Sequence, residues 1–324
     1  MKFCVLGILV VCVCIFSGRM QAATLEAVET EDAISIFHGD EVVLIYHKAE
    51  VMPPEGVDAV FKRSGFIHPI KTLKGVEVTG TRPDDHYHHM GLWHAWVKTK
   101  HDGEEVDFWN LKRRQGTVRF VETAGVRNGE DECGFTVRQE QVKYVGDDKE
   151  AVQVLEETLS VSARVEDGVL MIDYDLEQEN VTDAPLELPQ YRYGGPMAYR
   201  APHHWDQTNS DYLSSEGKTR EDGHETRSKW CAFWGPAQAG GEELVSLTIL
   251  CHPGNHDFPQ RMRVWPPTSN NGAIFFNYVP IQETGWAIQP RETVAFRYRL
   301  VVDDEMVDAG KMDGIWAGYS ESNQ

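Results

Sequence analysis

Four of the chain's 13 histidines, His86, His88, His89 and His94, fall within the short stretch from residue 82 to residue 94. Near neutral pH an imidazole serves as general base, general acid or metal ligand. If the stretch is extended, His86, His88 and His94 share one face and His89 and Trp93 the other, because strand side chains alternate. The His-x-His spacing is similar to that of cupin metal sites. The carboxylate those sites carry three or four residues later is missing here, since Met90 to His94 follow. The cluster therefore reads as acid–base machinery, with His88 and His89 as catalytic candidates and His86 and His94 as substrate contacts. No cofactor is expected on this reading. A divalent metal on His86 and His88, serving an oxidoreductase, is the alternative.

A second cluster spans residues 190–205. Arginine offers a planar fork for a carboxylate or several hydroxyls, and tyrosine and tryptophan offer flat faces that suit sugar rings. Tyr193 is a candidate acid, and Arg192, Arg200 and His203 are candidate binding residues. The plainer reading puts these aromatics in the core and pairs the arginines with the chain's many acids. A third cluster, residues 251–256, follows a strand, where loops concentrate sites. It offers His252 as an acid and Asn255 as a contact. Trp109 is either a stacking platform or core. Glycosidases need two carboxylates at a set separation. Glu216 and Asp107 are the candidates, but the enrichment is in His and Arg, which favours a lyase or epimerase over a hydrolase. His86, His88, His89, Arg200 and His252 are expected to meet in one site. Serine-hydrolase elbows, Walker loops, dinucleotide fingerprints and zincin motifs are all missing.

These side chains must be carried by strands. Residues 33–37 and 41–47 read as a hairpin, and 92–100 and 105–109 flank the turn signal Asp102-Gly103. Residues 117–123, 134–145, 151–165 and 169–178 form a meander, and later strands cover 244–250, 261–265, 273–279 and 293–302. The alternation in residues 150–159 is impure, and residues 57–65 are ambiguous. One short helix is expected within 303–319, capped by Asp303 or Asp304. Residues 188–243 read as a long irregular excursion that forms the site. A dozen or more strands bury their inner faces most simply as an all-β, antiparallel two-sheet sandwich with little helix.

The whole chain has 324 residues, 31 Lys and Arg against 51 Asp and Glu, and a formal net charge of −20. So acidic a surface repels nucleic acid and anionic lipid, so neither is expected as a partner. An anionic substrate needs a local basic cluster. Residues 1–22 read as a cleavable signal peptide: Lys2, an apolar run over 3–18, then small residues at 22–23. Residues 23–324 then form a single secreted or periplasmic domain. Cleavage removes Cys4, Cys12 and Cys14. The remaining Cys133, Cys231 and Cys251 allow one disulfide at most, so the fold relies on its core.

Residues 83–93, 106–109, 199–202, 216–220, 226–230, 252–255 and 297–300 together resemble an uncharacterised bacterial family labelled PmoA-like. Met90 stands where that family usually has Arg, and Cys251 where it usually has Asp. The resemblance implies a secreted, galactose-mutarotase-like supersandwich that handles carbohydrate, and it implies no membrane-embedded oxygenase. A non-catalytic sugar-binding module is the further alternative.

Overall fold

The turn signals become hairpins. A computed structural model describes residues 24–321, and the expected signal segment with its three cysteines lies outside them. Asp102 and Gly103 take φ of 55° and 79° between Thr99–His101 and Glu104–Val106. Asp167 and Gly168, at 50° and 78°, join Glu150–Glu166 to Val169–Asn180. Two positive φ values are what a two-residue hairpin loop of type I′ requires.

Every strand pair among the described residues is antiparallel, and three sheets result. The first runs Leu25–Glu29, Ala33–His38, Glu41–His47, Phe66–Ile70, Leu92–Ala95, Gly195–Arg200, Phe275–Tyr278, Met262–Val264. The second runs Asp211–Ser214, Trp230–Pro236, Leu244–Cys251, Thr293–Asp303, Val169–Asn180, Glu150–Glu166, Glu132–Val145, Gly116–Asn128. A small sheet of four strands (Trp286–Ile288, Leu186–Leu188, Thr99–His101, Glu104–Val106) was not foreseen from the sequence. The two large sheets pack face to face. Tyr199 meets Phe233 at 5.1 Å and Tyr278 stacks on Tyr298 at 5.7 Å across the interface. One apolar core spans both, and a smaller one lies under the Ala309–Ser320 helix. The protein is thus an antiparallel two-sheet sandwich with little helix.

Two local expectations need correction, and two others gain detail. The strand expected over 92–100 is two strands in different sheets, because Lys98 adopts φ 48° and breaks the run. The Asp303 or Asp304 cap is wrong: the helix starts at Ala309, where Asp308 accepts from the Lys311 amide at 2.9 Å. Residues 188–243 are mainly irregular, as expected, but they also supply the short strands Gly195–Arg200, Asp211–Ser214 and Trp230–Pro236. Gly195–Arg200 and most of Trp230–Pro236 are buried on both faces, so they lack the alternation that marks a half-buried strand. Finally, the impure pattern near Val154 is a β-bulge: the pairing steps from Gln153–Val142 to Leu155–Gln141, and Val154 and Leu155 are both buried. Cys133, Cys231 and Cys251 are buried free thiols.

Candidate active site

His94 points into the sandwich, so its neighbour Trp93 points out of it. Nε2 of His94 lies 2.8 Å from Glu157, and Nδ1 lies 2.8 Å from the Tyr174 hydroxyl. Trp93, by contrast, lies 5.2 Å from Trp109 and 5.1 Å from His89 on the outer face of the first sheet. That face is the floor of a cleft.

The histidine stretch is not extended. The Arg82 amide donates to the His89 carbonyl at 2.8 Å, and the His86 and His89 amides each close a turn inside that loop. The loop folds His86, His88 and His89 onto the same face, so the parity expected from an extended chain fails. His89 stacks on Phe275 at 4.7 Å and on His86 at 4.8 Å, and His86 meets Trp265 at 4.8 Å. His88 approaches His89 edge-on at 4.8 Å.

Opposite the loop, Tyr193 precedes Gly194, whose φ of 94° and contact with Val97 leave no room for a Cβ. The Gly194 amide donates to Asn277 at 2.7 Å, which fixes the backbone that aims Tyr193. Asn110 donates to the Tyr193 hydroxyl at 3.0 Å and to Asp107 at 2.8 Å. Asp107 is fully buried and accepts from the Trp109 and Asn110 amides, so this carboxylate holds the loop and does not face the cleft.

A hollow of about 160 Å³ results, with His86, His88, His89, Trp109, Arg192 and Tyr193 in its wall. Arg263, Trp265, Phe275, Asn110 and Asn270 complete it, and sequence reasoning missed these as site residues. The available signal was parity: Val264 is buried in the core, so Arg263 and Trp265 share the opposite face of their segment. Arg192 and Arg263 both lie over the Tyr193 ring, at 5.7 and 5.8 Å. Among the described residues neither guanidinium has an ion pair or a hydrogen bond. Arg200 is placed behind Trp265, 5.1 Å from its ring, with Nε and Nη1 buried and unpartnered.

The electrostatics follow from burial. Burial of the His88 ring, with repulsion from His86 and Arg63, pushes its pKa down to about 3. Burial and the charges of His88 and Arg200 hold His89 well below the usual histidine value. Burial raises the Tyr193 hydroxyl to about 12. Arg200 is lowered by burial to about 10 and stays charged at neutral pH. The cleft thus presents neutral imidazoles on His88 and His89, a protonated phenol and unpaired guanidinium groups. For the metal alternative, His86 and His88 supply two imidazoles, but among the described residues no three His, Cys, Asp or Glu side chains form a ligand set.

Five expected site residues lie elsewhere. His94 is sealed between the sheets at 1% exposure, held there by its two hydrogen bonds. His252 packs against Tyr319 of the helix at 5.2 Å, on the second sheet's outer side, so the sandwich separates it from His89 and Arg200. Asn255 pins its own loop by bonding both the amide and the carbonyl of Arg297, at 2.7 and 2.8 Å. Glu216 is an exposed turn residue at the edge strand of the second sheet, accepting from Ser215. His203 bonds the Thr81 carbonyl at 2.8 Å and faces a separate hollow with His68, Glu77 and His204.

These features define a class: an antiparallel β-sandwich with a cleft of histidine, arginine and aromatic side chains on one outer face. The chain belongs to the family of unknown function DUF6807, whose profile matches residues 33–317. No curated protein matches it. Among solved structures it is similar to a galactose mutarotase related enzyme from Lactobacillus acidophilus, at 8% identity and TM-score 0.38, covering 88% of this chain and 100% of that one. A galactose mutarotase-like protein from Clostridium acetobutylicum aligns at 8% identity and TM-score 0.37, covering 86% and 95%. A polysaccharide lyase aligns at 10% identity and TM-score 0.33, covering 88% of this chain and 33% of the lyase. Likenesses of this size assign neither substrate nor reaction. Among the described residues no helix is long and apolar enough to cross a membrane.

Proposed function

We propose that the cleft binds a uronate-containing sugar and removes the proton next to its carboxylate, as a lyase or an epimerase. The observation that carries this reading is the pair Arg192 and Arg263. In a chain with 51 acidic residues, two adjacent guanidinium groups stand without a carboxylate partner beside His88 and Tyr193. Arginine forks match carboxylate geometry, and their charge stabilises the dianion that forms when the adjacent carbon loses its proton. His88 enters neutral and takes that proton. The docked carboxylate raises the depressed imidazole pKa toward a useful range. Tyr193 enters protonated. In elimination it gives its proton to the departing glycosidic oxygen as the carbon–oxygen bond breaks and a carbon–carbon double bond forms. In epimerisation a proton returns to the opposite face of the same carbon. Trp109 and Trp265 form part of the hollow's wall. Asn110, held by Asp107, orients the phenol.

Export through residues 1–22 belongs to this reading and would put the reaction outside the cytoplasm; recovery of the protein in the cytoplasm with Met1 intact would contradict it. The resemblance to the PmoA-labelled family adds no oxygenase chemistry.

The test is titration of the protein with glucuronate and with glucose, followed by assay of uronate glycosides for an unsaturated or epimerised product. Uronate binds and glucose does not. Arg192→Ala with Arg263→Ala weakens uronate binding by more than roughly tenfold. Equal affinity for glucose, or affinity indifferent to both arginines, would sink the reading. Uronate binding without turnover would make the protein a sugar-binding module.

A further inference from the structure

The central hollow does not end at its own walls. A second hollow of about 520 Å³ shares His88, Asn110 and Tyr193 with it. A third of about 480 Å³ shares Arg192. The second and third have no residue in common, so the His88–Tyr193 centre lies between them. Each flank carries its own aromatic surface. Phe61 and Tyr87 pair at 5.5 Å in the second hollow, and Tyr191 stands in the third, 5.0 Å from Tyr193.

The charges differ along this row. In the centre Arg192 and Arg263 are unpaired. The third hollow sets the cations of Arg192 and Arg261 against two carboxylates, Glu225 and Glu283, with Glu283 3.2 Å from Arg261 and 2.8 Å from Arg227, whereas the central hollow has no carboxylate in its wall. In the second, Asp84 and Asp85 are two exposed carboxylates against the one cation of Lys112, and Arg113 is already paired with Glu105 at 2.8 Å and Asp107 at 3.3 Å. A uronate in either flank would meet two wall carboxylates that match or outnumber the unpaired cations there, whereas a neutral ring would keep its stacking and hydroxyl contacts.

We infer that the substrate is a stretch of heteropolysaccharide in which one uronate lies between neutral sugars, spanning at least three rings across the His88–Tyr193 centre. This rests on the uronate reading above and specifies its substrate.

The test compares three probes by isothermal titration calorimetry: free glucuronate, triglucuronate, and a trisaccharide with one central glucuronate between two glucose units. The mixed trisaccharide binds roughly tenfold more tightly than either other probe, a difference of about 1.4 kcal/mol. Tyr87→Ala and Tyr191→Ala each shrink that advantage. Triglucuronate binding as tightly as the mixed trisaccharide, or no gain over free glucuronate, overturns the inference while leaving the uronate reading standing. No binding of glucuronate at any length overturns the uronate reading itself.

Discussion

His88 carries the sharpest chemical expectation. Its position in both adjoining hollows gives it access to substrate, and its neutral ring suits a base. His88→Ala should lower turnover by roughly 10²–10⁴-fold, the contribution of a positioned base. The residue names alone would put the acid limb of the pH profile at about 6–7, the ordinary histidine range. Burial moves it. The profile of kcat/KM reports the free enzyme, where the His88 pKa is pushed down to about 3, so it should stay flat through pH 5 and bend only near that lower value. A limb at about 6.5 that disappears in His88→Gln would contradict the burial argument. Tyr193→Phe tests the partner acid: it keeps the ring and removes the proton, so turnover should fall with little change in affinity.

At the scale of elements, the strands are joined by a polar knot inside the core. Glu157 on Glu150–Glu166 accepts from His94 at 2.8 Å, Gln141 at 2.7 Å and Gln178 at 2.6 Å, and Trp96 donates to Gln178 at 2.9 Å. Burial alone would raise the Glu157 carboxyl, but the His94 ring and these hydrogen bonds outweigh it and hold the pKa below the usual value. Both sheets contribute, so the knot fixes how Leu92–Ala95 sits and thereby where Trp93 supports His89 and Trp109. Removing one member of a buried charged hydrogen-bonded group costs about 3–5 kcal/mol. Glu157→Ala should show that loss in urea unfolding, and Glu157→Gln, which keeps an acceptor, should lose less. A loss below about 1 kcal/mol for Glu157→Ala would mean the knot does not hold the sheets.

The whole molecule should be sensitive to acid. Burial lowers His68 to about 4 and His88 to about 3, and His89 is also lowered, against about 6.5 in the unfolded chain. Between these values the unfolded chain binds more protons, so stability falls as pH drops from about 6.5 toward 3–4. Asp175 works the other way: burial raises it to about 6, so the folded form takes up its proton first. Burial raises Glu77 as well, but it lowers His47, His101, His224 and His256 in addition, so the seven histidines outweigh the two carboxyls. Thermal unfolding between pH 7 and pH 4 should show a falling Tm, and His68→Gln should flatten the slope. An unchanged slope in that variant would remove His68 from the account.

The chain's turn residues and alternation were enough to reach an antiparallel β-sandwich with one late helix. Those signals are local: Asp-Gly pairs set positive φ, and a half-buried strand alternates. Strands buried on both faces, such as Gly195–Arg200, gave no alternation and were read as loop. The histidine stretch and Tyr193 were found by residue type, and the structure brings His86, His88, His89, Trp109, Arg192 and Tyr193 to one hollow. His94 and His252 looked equally suitable in the sequence, yet one lies between the sheets and the other beside the helix. Arg263 and Trp265 join the cleft from more than 170 positions away from His88. Which of two faces a strand side chain takes, and which distant strand lies beside it, depends on sheet order and register. Those are set by burying the whole apolar surface at once, and only the tertiary structure decides them.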